Sequence, residues 1–342
     1  MNDQAKVTLA PPPQSPFLPG TNIQFAFDST SIGMFKTCPR LYYYTMIEGW
    51  APKHESVHLR FGIEYHTALQ EYDVSRANGV RHEDAIHDVV RALVERTADW
   101  NVDATIKAGK YKNRNTIVSL VIDYLDHFGA DDPAKTYLLA DGRPAVELSF
   151  RFELEQGPGG SYIPEPDIKA AILAEGGTPN QPYILCGHLD RVVEFNSQLL
   201  VMDRKTTTTT LSDSYFDQYE PNNQMTLYTL AGQVILGQPV RGVIIDAAQV
   251  LLEKPNRFVR GFTYRTPDQL EEWMTDLAIL LNSAEDCATG DYWPQNDTAC
   301  DKFGGCRFRG ICSKSPQVRE KFLASDFTKL EPDARWNPLK PR

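Results

Sequence analysis

The chain has 342 residues, a hydrophobic content of 42% and a formal net charge of −10. This length suits two domains or one large α/β domain with insertions, and the apolar share is enough for a packed core. The acidic balance excludes a protein that coats nucleic acid through bulk electrostatics, while leaving room for local basic strips.

The opening, MNDQAKVTLAPPPQSPFLPG, lacks the basic stretch and apolar run of a secretory leader, and no window approaches the ~18 apolar residues of a membrane span. A soluble cytoplasmic protein without a membrane partner is expected, with residues 1–20 a proline-rich disordered or extended arm. Helical periodicity then runs over 58–77, 82–100 and 114–128. VELSFRFEL at 146–154 alternates as a strand, and 183–205 reads as a hairpin. A helix over 222–236, strands at 240–252 and 257–264, and a helix opening at Pro267 complete the order. Helices, a strand meander, a helix and further strands predict an α/β or α+β domain with a helical insertion before residue 145.

The hairpin is the most informative stretch. In GHLDRVVEFNSQLLVMDRKT two apolar, β-prone runs flank Asn196-Ser197, a pair suited to a tight turn. A two-residue loop there sets Asp190 opposite Asp203, with Cβ atoms roughly 4.5–5.5 Å apart. Lys205 lies on the same face as Asp203, because side chains alternate along a strand. Such a triad on an exposed hairpin would be solvated charge. These strands are otherwise apolar, as in a covered sheet, and paired carboxylates there call for a hard divalent cation such as Mg²⁺ or Mn²⁺.

Other polar residues carry two readings each. Gly62 and His66, in FGIEYHTALQ, share one helix face, and a small residue one turn before the histidine would let that face approach a sheet closely; otherwise His66 is an ordinary surface or core histidine. Glu147 is an isolated carboxylate at a strand start, as edge charges often are. Gln224 and Tyr228, four apart in an apolar helix, could equally form a satisfied core hydrogen bond. Thr206–Thr210 is a loop or strand end whose hydroxyls could meet phosphates. Lys107, Lys110, Lys112 and Arg114 form one basic strip, and Lys254, Arg257, Arg260 and Arg265 another. Each is a solvated face unless the active site lies between them.

Of six cysteines, Cys300, Cys306 and Cys312 are evenly spaced in CDKFGGCRFRGIC. Disulfides are disfavoured in an intracellular protein, so three clustered thiols want a fourth ligand for a metal centre. Cys38, in FKTCPRLYYY, is the best candidate, while Cys186 and Cys287 read as buried apolar residues. The spacing is looser than the paired Cys-x2-Cys of common zinc sites, which favours an iron–sulfur cluster over structural Zn²⁺.

Together these motifs resemble the PD-(D/E)XK nuclease superfamily, in particular its RecB-like branch, which includes the AddB nuclease domain and CRISPR-adaptation nucleases with a [4Fe–4S] cluster. SIGMFKTCPRLYYY is similar to the branch's amino-terminal cysteine motif and GIEYH to its G-x-x-x-H motif. GHLDR and MDRKT match the two strand motifs, NNQMTLY the Q-x-x-x-Y motif, and the carboxy-terminal cysteines the cluster loop. Two departures are Cys-x5-Cys where relatives often have Cys-x2-Cys, and Leu189 where the superfamily's nominal proline stands.

The resemblance implies a restriction-endonuclease-like α/β core: a mixed central sheet flanked by helices, a helical insertion, and a cysteine-ligated cluster subdomain joining the N- and C-terminal segments. It sets the nuclease domain at 21–320, with the insertion at about 78–140, the cluster segment at 287–315 together with Cys38, and a tail at 321–342. Implied metal ligands are His66, Glu147, Asp190 and Asp203 with a backbone carbonyl after Asp203; implied catalytic residues are Asp190, Asp203, Lys205, Gln224 and Tyr228. Cys38, Cys300, Cys306 and Cys312 would hold a [4Fe–4S] cluster or, alternatively, Zn²⁺. The expected activity is a Mg²⁺- or Mn²⁺-dependent deoxyribonuclease, an exonuclease on single strands or DNA ends in repair, recombination or phage DNA metabolism, in a bacterial or phage-infected cell and with a helicase or recombination protein as partner. Two competing readings are a catalytically silent DNA-binding or helicase-associated module of the same fold, which would usually lose a ligand or the lysine, and a glycoside hydrolase. Carboxyls ~5–5.5 Å apart would suit a retaining glycosidase, but that reading gives Lys205 and the cysteines no role.

Overall fold

The structure is a computed structural model that describes residues 15–54, 56–102, 107–129, 131–154, 181–301 and 305–340. In chain order, β1 (Ala26–Phe27), α1 (Ser29–Thr37), α2 (Pro39–Tyr42) and β2 (Trp50–Pro52) precede α3 (Val57–Ala77), α4 (His82–Arg96), α5 (Lys107–Tyr111) and α6 (Arg114–Phe128). Then come β3 (Lys135–Thr136), β4 (Val146–Glu153), β5 (Ile184–Phe195), β6 (Gln198–Thr207), α7 (Asn223–Leu236), β7 (Val240–Gln249) and β8 (Arg257–Tyr264). The chain closes with α8 (Pro267–Thr289), α9 (Arg309–Cys312), α10 (Arg319–Asp326) and β9 (Phe327–Lys329). No described helix is long and apolar enough to cross a membrane.

Two units emerge. One comprises residues 1–53, 151–187 and 275–342, the other 54–150 and 188–274. The second unit holds a mixed sheet. Antiparallel β5 and β6 meet at the Asn196-Ser197 turn, where both residues have positive φ, as a tight hairpin with right-handed strand twist requires. β6 runs parallel to β7 through the α7 crossover, and β8 returns antiparallel. On one face Phe61, Tyr65 and Leu69 of α3 pack with Val89, Leu93, Ile117, Leu120 and Ala248. Helix α6 begins where Asn113 and Thr116 cap each other reciprocally; α7 begins where the Asn222 side chain accepts the Gln224 and Met225 N–H groups, and stops at Gly237, φ +58°. The expected mixed sheet flanked by helices is therefore present. The helix expected over 82–100 stops at Arg96, because Thr97–Trp100 turns back on itself.

The close approach expected at Gly62 is not seen among the described residues: a Cβ on Gly62 would meet none of them within 4 Å. It occurs on α7, where a Cβ on Gly232 would stand 3.2 Å from Val240 and 3.3 Å from Val201.

In the first unit β1 lies parallel to the start of β5, and β2 pairs antiparallel with β9. Asp28 and Ser31 cap α1, and Cys38-Pro39 ends it and opens α2. Residues 1–14 of the expected arm lie outside the described residues; Leu18 is buried with Ile23, Phe25 and Ala26.

The two basic strips divide: Lys107, Lys110, Lys254 and Arg257 are exposed, while the other four residues are engaged within the unit. Arg114 donates to the Val94 carbonyl, Arg260 forms a forked pair with Asp132 at 2.6 and 2.8 Å, and Arg265 donates to the Tyr219 carbonyl. Lys112 is 5% exposed, with Nζ 3.3 Å from Thr206 Oγ1 and 5.1 Å above the Phe61 ring. Burial pushes this lysine from 10.5 down to about 8. The unfolded chain thus binds the extra proton between those pH values, so the site costs stability below pH 8 and the cost fades as pH rises towards 10.5. Lys112→Met should therefore raise the melting temperature at pH 7, by roughly 2–3 kcal/mol of stability, and much less at pH 10. Equal gains at both pH values in a calorimetric scan would show that desolvated charge is not the cause.

Candidate active site

The hairpin sets the site. Its ladder runs to Arg191↔Met202, so Asp190 and Asp203 stand at the next position, both buried. Asp190 Oδ2 accepts the Arg204 N–H at 3.0 Å and lies 3.2 Å from His66 Nδ1 on α3. Glu147 joins them: one ligand atom each of His66, Glu147 and Asp190 lies within 4.8 Å of the other two. Glu147 holds φ +48°, a backbone conformation that a non-glycine residue adopts at a cost and that is enriched at functional sites.

Lys205 projects beside Asp203 as alternation requires. Its Nζ lies 2.7 Å from Asp203 Oδ2 and donates to Gln224 Oε1 at 3.0 Å, while Gln224 Nε2 donates to Tyr228 Oη at 3.0 Å. This chain fixes which way the Gln224 amide points. The i, i+4 pair on α7 is thus hydrogen-bonded within itself and also to the lysine.

The electrostatics separate the two aspartates. Burial pushes Asp190 up, but the charge and hydrogen bond of His66, the Arg204 N–H and Lys205 outweigh it and hold the carboxyl well below the usual range. Asp203 is pushed up by burial and by Asp190, against the pull of Lys205. Burial would lower His66 and Lys205; the facing carboxylates outweigh it and raise both. Asp203 Oδ2 is buried and ion-paired to Lys205 at 2.7 Å. Three convergent oxygen and nitrogen ligands beside this buried carboxylate fit a hard divalent cation.

Behind the site lies a network that the sequence reading missed. Arg191 and Arg204 directly follow the two aspartates, and alternation turns them to the opposite face. Both meet Asp73, two turns beyond His66 on α3: Arg204 donates to Asp73 Oδ2, and Arg191 Nη1 lies 3.3 Å from Oδ1. The repeated Asp-Arg dipeptide was the available signal. Arg260 carries the network on to Asp132 and to Asp246, which also accepts from Tyr124.

Within the other unit, Cys38 Sγ accepts the Asn296 N–H at 3.4 Å, and the Cys306 N–H donates to the Cys300 carbonyl at 2.8 Å. Burial raises Cys300 and Cys312, and both also feel Cys306 and Cys38, so the four thiols share one neighbourhood. None of the six cysteines is in a disulfide. Cys186 is buried and its thiol, pushed up to about 12 by burial, donates to the Phe27 carbonyl.

No curated protein matches the sequence. A crystal structure of a candidate exonuclease from Eubacterium rectale is similar over 87% of this chain and 92% of its own, at 11% identity and a TM-score of 0.46. The sequence profile of the PD-(D/E)XK nuclease superfamily matches residues 29–313, which include every site residue described above. The chain belongs to the PD-(D/E)XK nuclease superfamily.

Proposed function

We propose that this chain is a Mg²⁺- or Mn²⁺-dependent deoxyribonuclease of the RecB-like branch, an exonuclease working on DNA ends or single strands in repair, recombination or phage DNA metabolism. The observation that carries the reading is the convergence of His66, Glu147 and Asp190 beside the braced Asp203–Lys205 pair. His66, Glu147, Asp190 and Asp203, with the Arg204 carbonyl, would hold the cation. When bound, the ion lowers the pKa of a water and offsets charge on the phosphate.

The chain's own groups do the rest. Lys205, kept protonated by Asp203, directs its ammonium at developing negative charge and orients the attacking water. Gln224 and Tyr228 hold that ammonium in place, sparing the reaction the cost of orienting it. The expected products are a 5′-phosphate and a 3′-hydroxyl. All ligands and the lysine are present, which speaks against a silent DNA-binding module. End-labelled single- and double-stranded DNA should be degraded with Mg²⁺ or Mn²⁺ and spared with EDTA; intact DNA under every metal condition would overturn the reading.

Cys38, Cys300, Cys306 and Cys312 would hold a [4Fe–4S] cluster or, alternatively, Zn²⁺, and the Cys-x5-Cys spacing, looser than the paired Cys-x2-Cys of common zinc sites, favours the cluster. Cluster ligation would staple Cys38 to the loop of Cys300, Cys306 and Cys312 across most of the chain, constraining the unfolded state. Anaerobically purified protein should be brown with roughly equal iron and sulfide, and Cys38→Ser should bleach it and lower its melting temperature. Colourless protein carrying one zinc would keep the staple and discard the cluster.

A further inference from the structure

Helix α3 has two apolar faces, and only one belongs to the core. Phe61, Tyr65 and Leu69 are buried, yet Leu59 is 58% and Ile63 53% exposed. At 3.6 residues per turn, Leu59, Gly62, Ile63 and His66 fall on one ridge, spanning about 10 Å along the axis. The ridge ends at His66, 3.2 Å from Asp190. Fraying does not explain the exposure: the neighbours Arg60 and Glu64 are ion-paired to Asp99 at 2.9 Å and Arg96 at 3.2 Å.

Gly62 supplies the second, independent observation. A glycine inside a helix costs about 1 kcal/mol relative to alanine. Among the described residues no neighbour demands it, because an added Cβ would meet none of them within 4 Å. Space held open at a cost, between two exposed aliphatic side chains and one turn from a candidate metal ligand, is what close approach of a ligand to the helix backbone requires. At ~3.4 Å per nucleotide, the ridge covers roughly one to three nucleotides beside the scissile phosphate.

We infer that the Leu59–Gly62–Ile63 ridge receives the unpaired bases of the strand being cut, with Gly62 as the floor and the two aliphatic side chains as its edges. This rests on the nuclease reading above. Aliphatic contact with a base face is indifferent to base identity, so the ridge would select for unstacked, unpaired nucleotides rather than for sequence.

The test is binding of a fluorescent single-stranded oligonucleotide with Ca²⁺ in place of the working metal, so that it does not depend on turnover. The Leu59→Ser/Ile63→Ser double variant should bind about tenfold more weakly, and Gly62→Val likewise, with melting temperature and Mn²⁺ affinity unchanged for the double variant. An oligonucleotide carrying abasic sites at the positions flanking the cut should bind the wild type about tenfold more weakly and show no further loss on the double variant. Loss of less than twofold, or equal losses on natural and abasic strands, overturns the inference. Absence of cleavage by the wild type with Mg²⁺ or Mn²⁺ while this coupling persists would instead strike the nuclease reading alone.

Discussion

Lys205→Met should cleave DNA two to three orders of magnitude more slowly than the wild type, the size of effect seen when one pre-organised donor to developing charge is removed. The substitution also strips Asp203 of its cationic neighbour, and this carboxyl is already raised by burial and by Asp190. A protonated Asp203 would hold metal poorly, so part of the loss at neutral pH should come from weaker metal binding and should recover as pH rises. The part due to missing charge on the substrate should persist at pH 9 with saturating Mn²⁺. Recovery there to within tenfold of the wild-type rate would reduce Lys205 to a partner of Asp203 with no part in the chemistry.

The largest stability effect is expected at Asp73. Asp73→Ala leaves Arg204, 2% exposed, and buried Arg191 without their shared carboxylate. Removing one partner from a buried ion pair costs roughly 3–5 kcal/mol, because the remaining charge stays desolvated. Urea unfolding should show that loss at unchanged m-value, with Asp73→Asn intermediate because the amide can still accept one guanidinium hydrogen bond. A loss below about 1 kcal/mol would mean that water reaches the two arginines. Because Asp73 and His66 lie on one helix, and Arg191 and Arg204 each follow an aspartate of the site, any folded Asp73→Asn protein should also bind Mn²⁺ more weakly.

Residues whose placement depends on local periodicity were legible in the sequence. The two-residue turn and strict alternation of the hairpin set Asp190, Asp203 and Lys205 together, and the starts of α1, α2, α6, α7 and α8 carry a capping side chain or a proline. His66 and Glu147 were not legible that way. Nothing local distinguishes them from a core histidine and an edge carboxylate, and they came through resemblance to a family. Charge along a line was less legible. In KYKNR, Lys110 is exposed, as a solvated face would have it, but Lys112 is turned inward over Phe61, and the direction of a side chain at a helix junction depends on what packs there. The Asp73 cluster was hard to read for the same reason, with only the repeated Asp-Arg dipeptide to signal it. Its three members are far apart in sequence, and only the stacking of α3 on the sheet joins them.

The five-segment weave of the two units has a consequence for how the protein is made. By the time residue 274 has been synthesised the whole chain of the second unit exists, including all seven residues of the candidate active site, whereas the first unit still awaits residues 275–342. At ~5–20 residues per second, that last stretch takes roughly 3 to 14 s to appear. The hydrolytic groups are therefore all synthesised before Cys300, Cys306 and Cys312, and a metal centre that joined those thiols to Cys38 would form only after them.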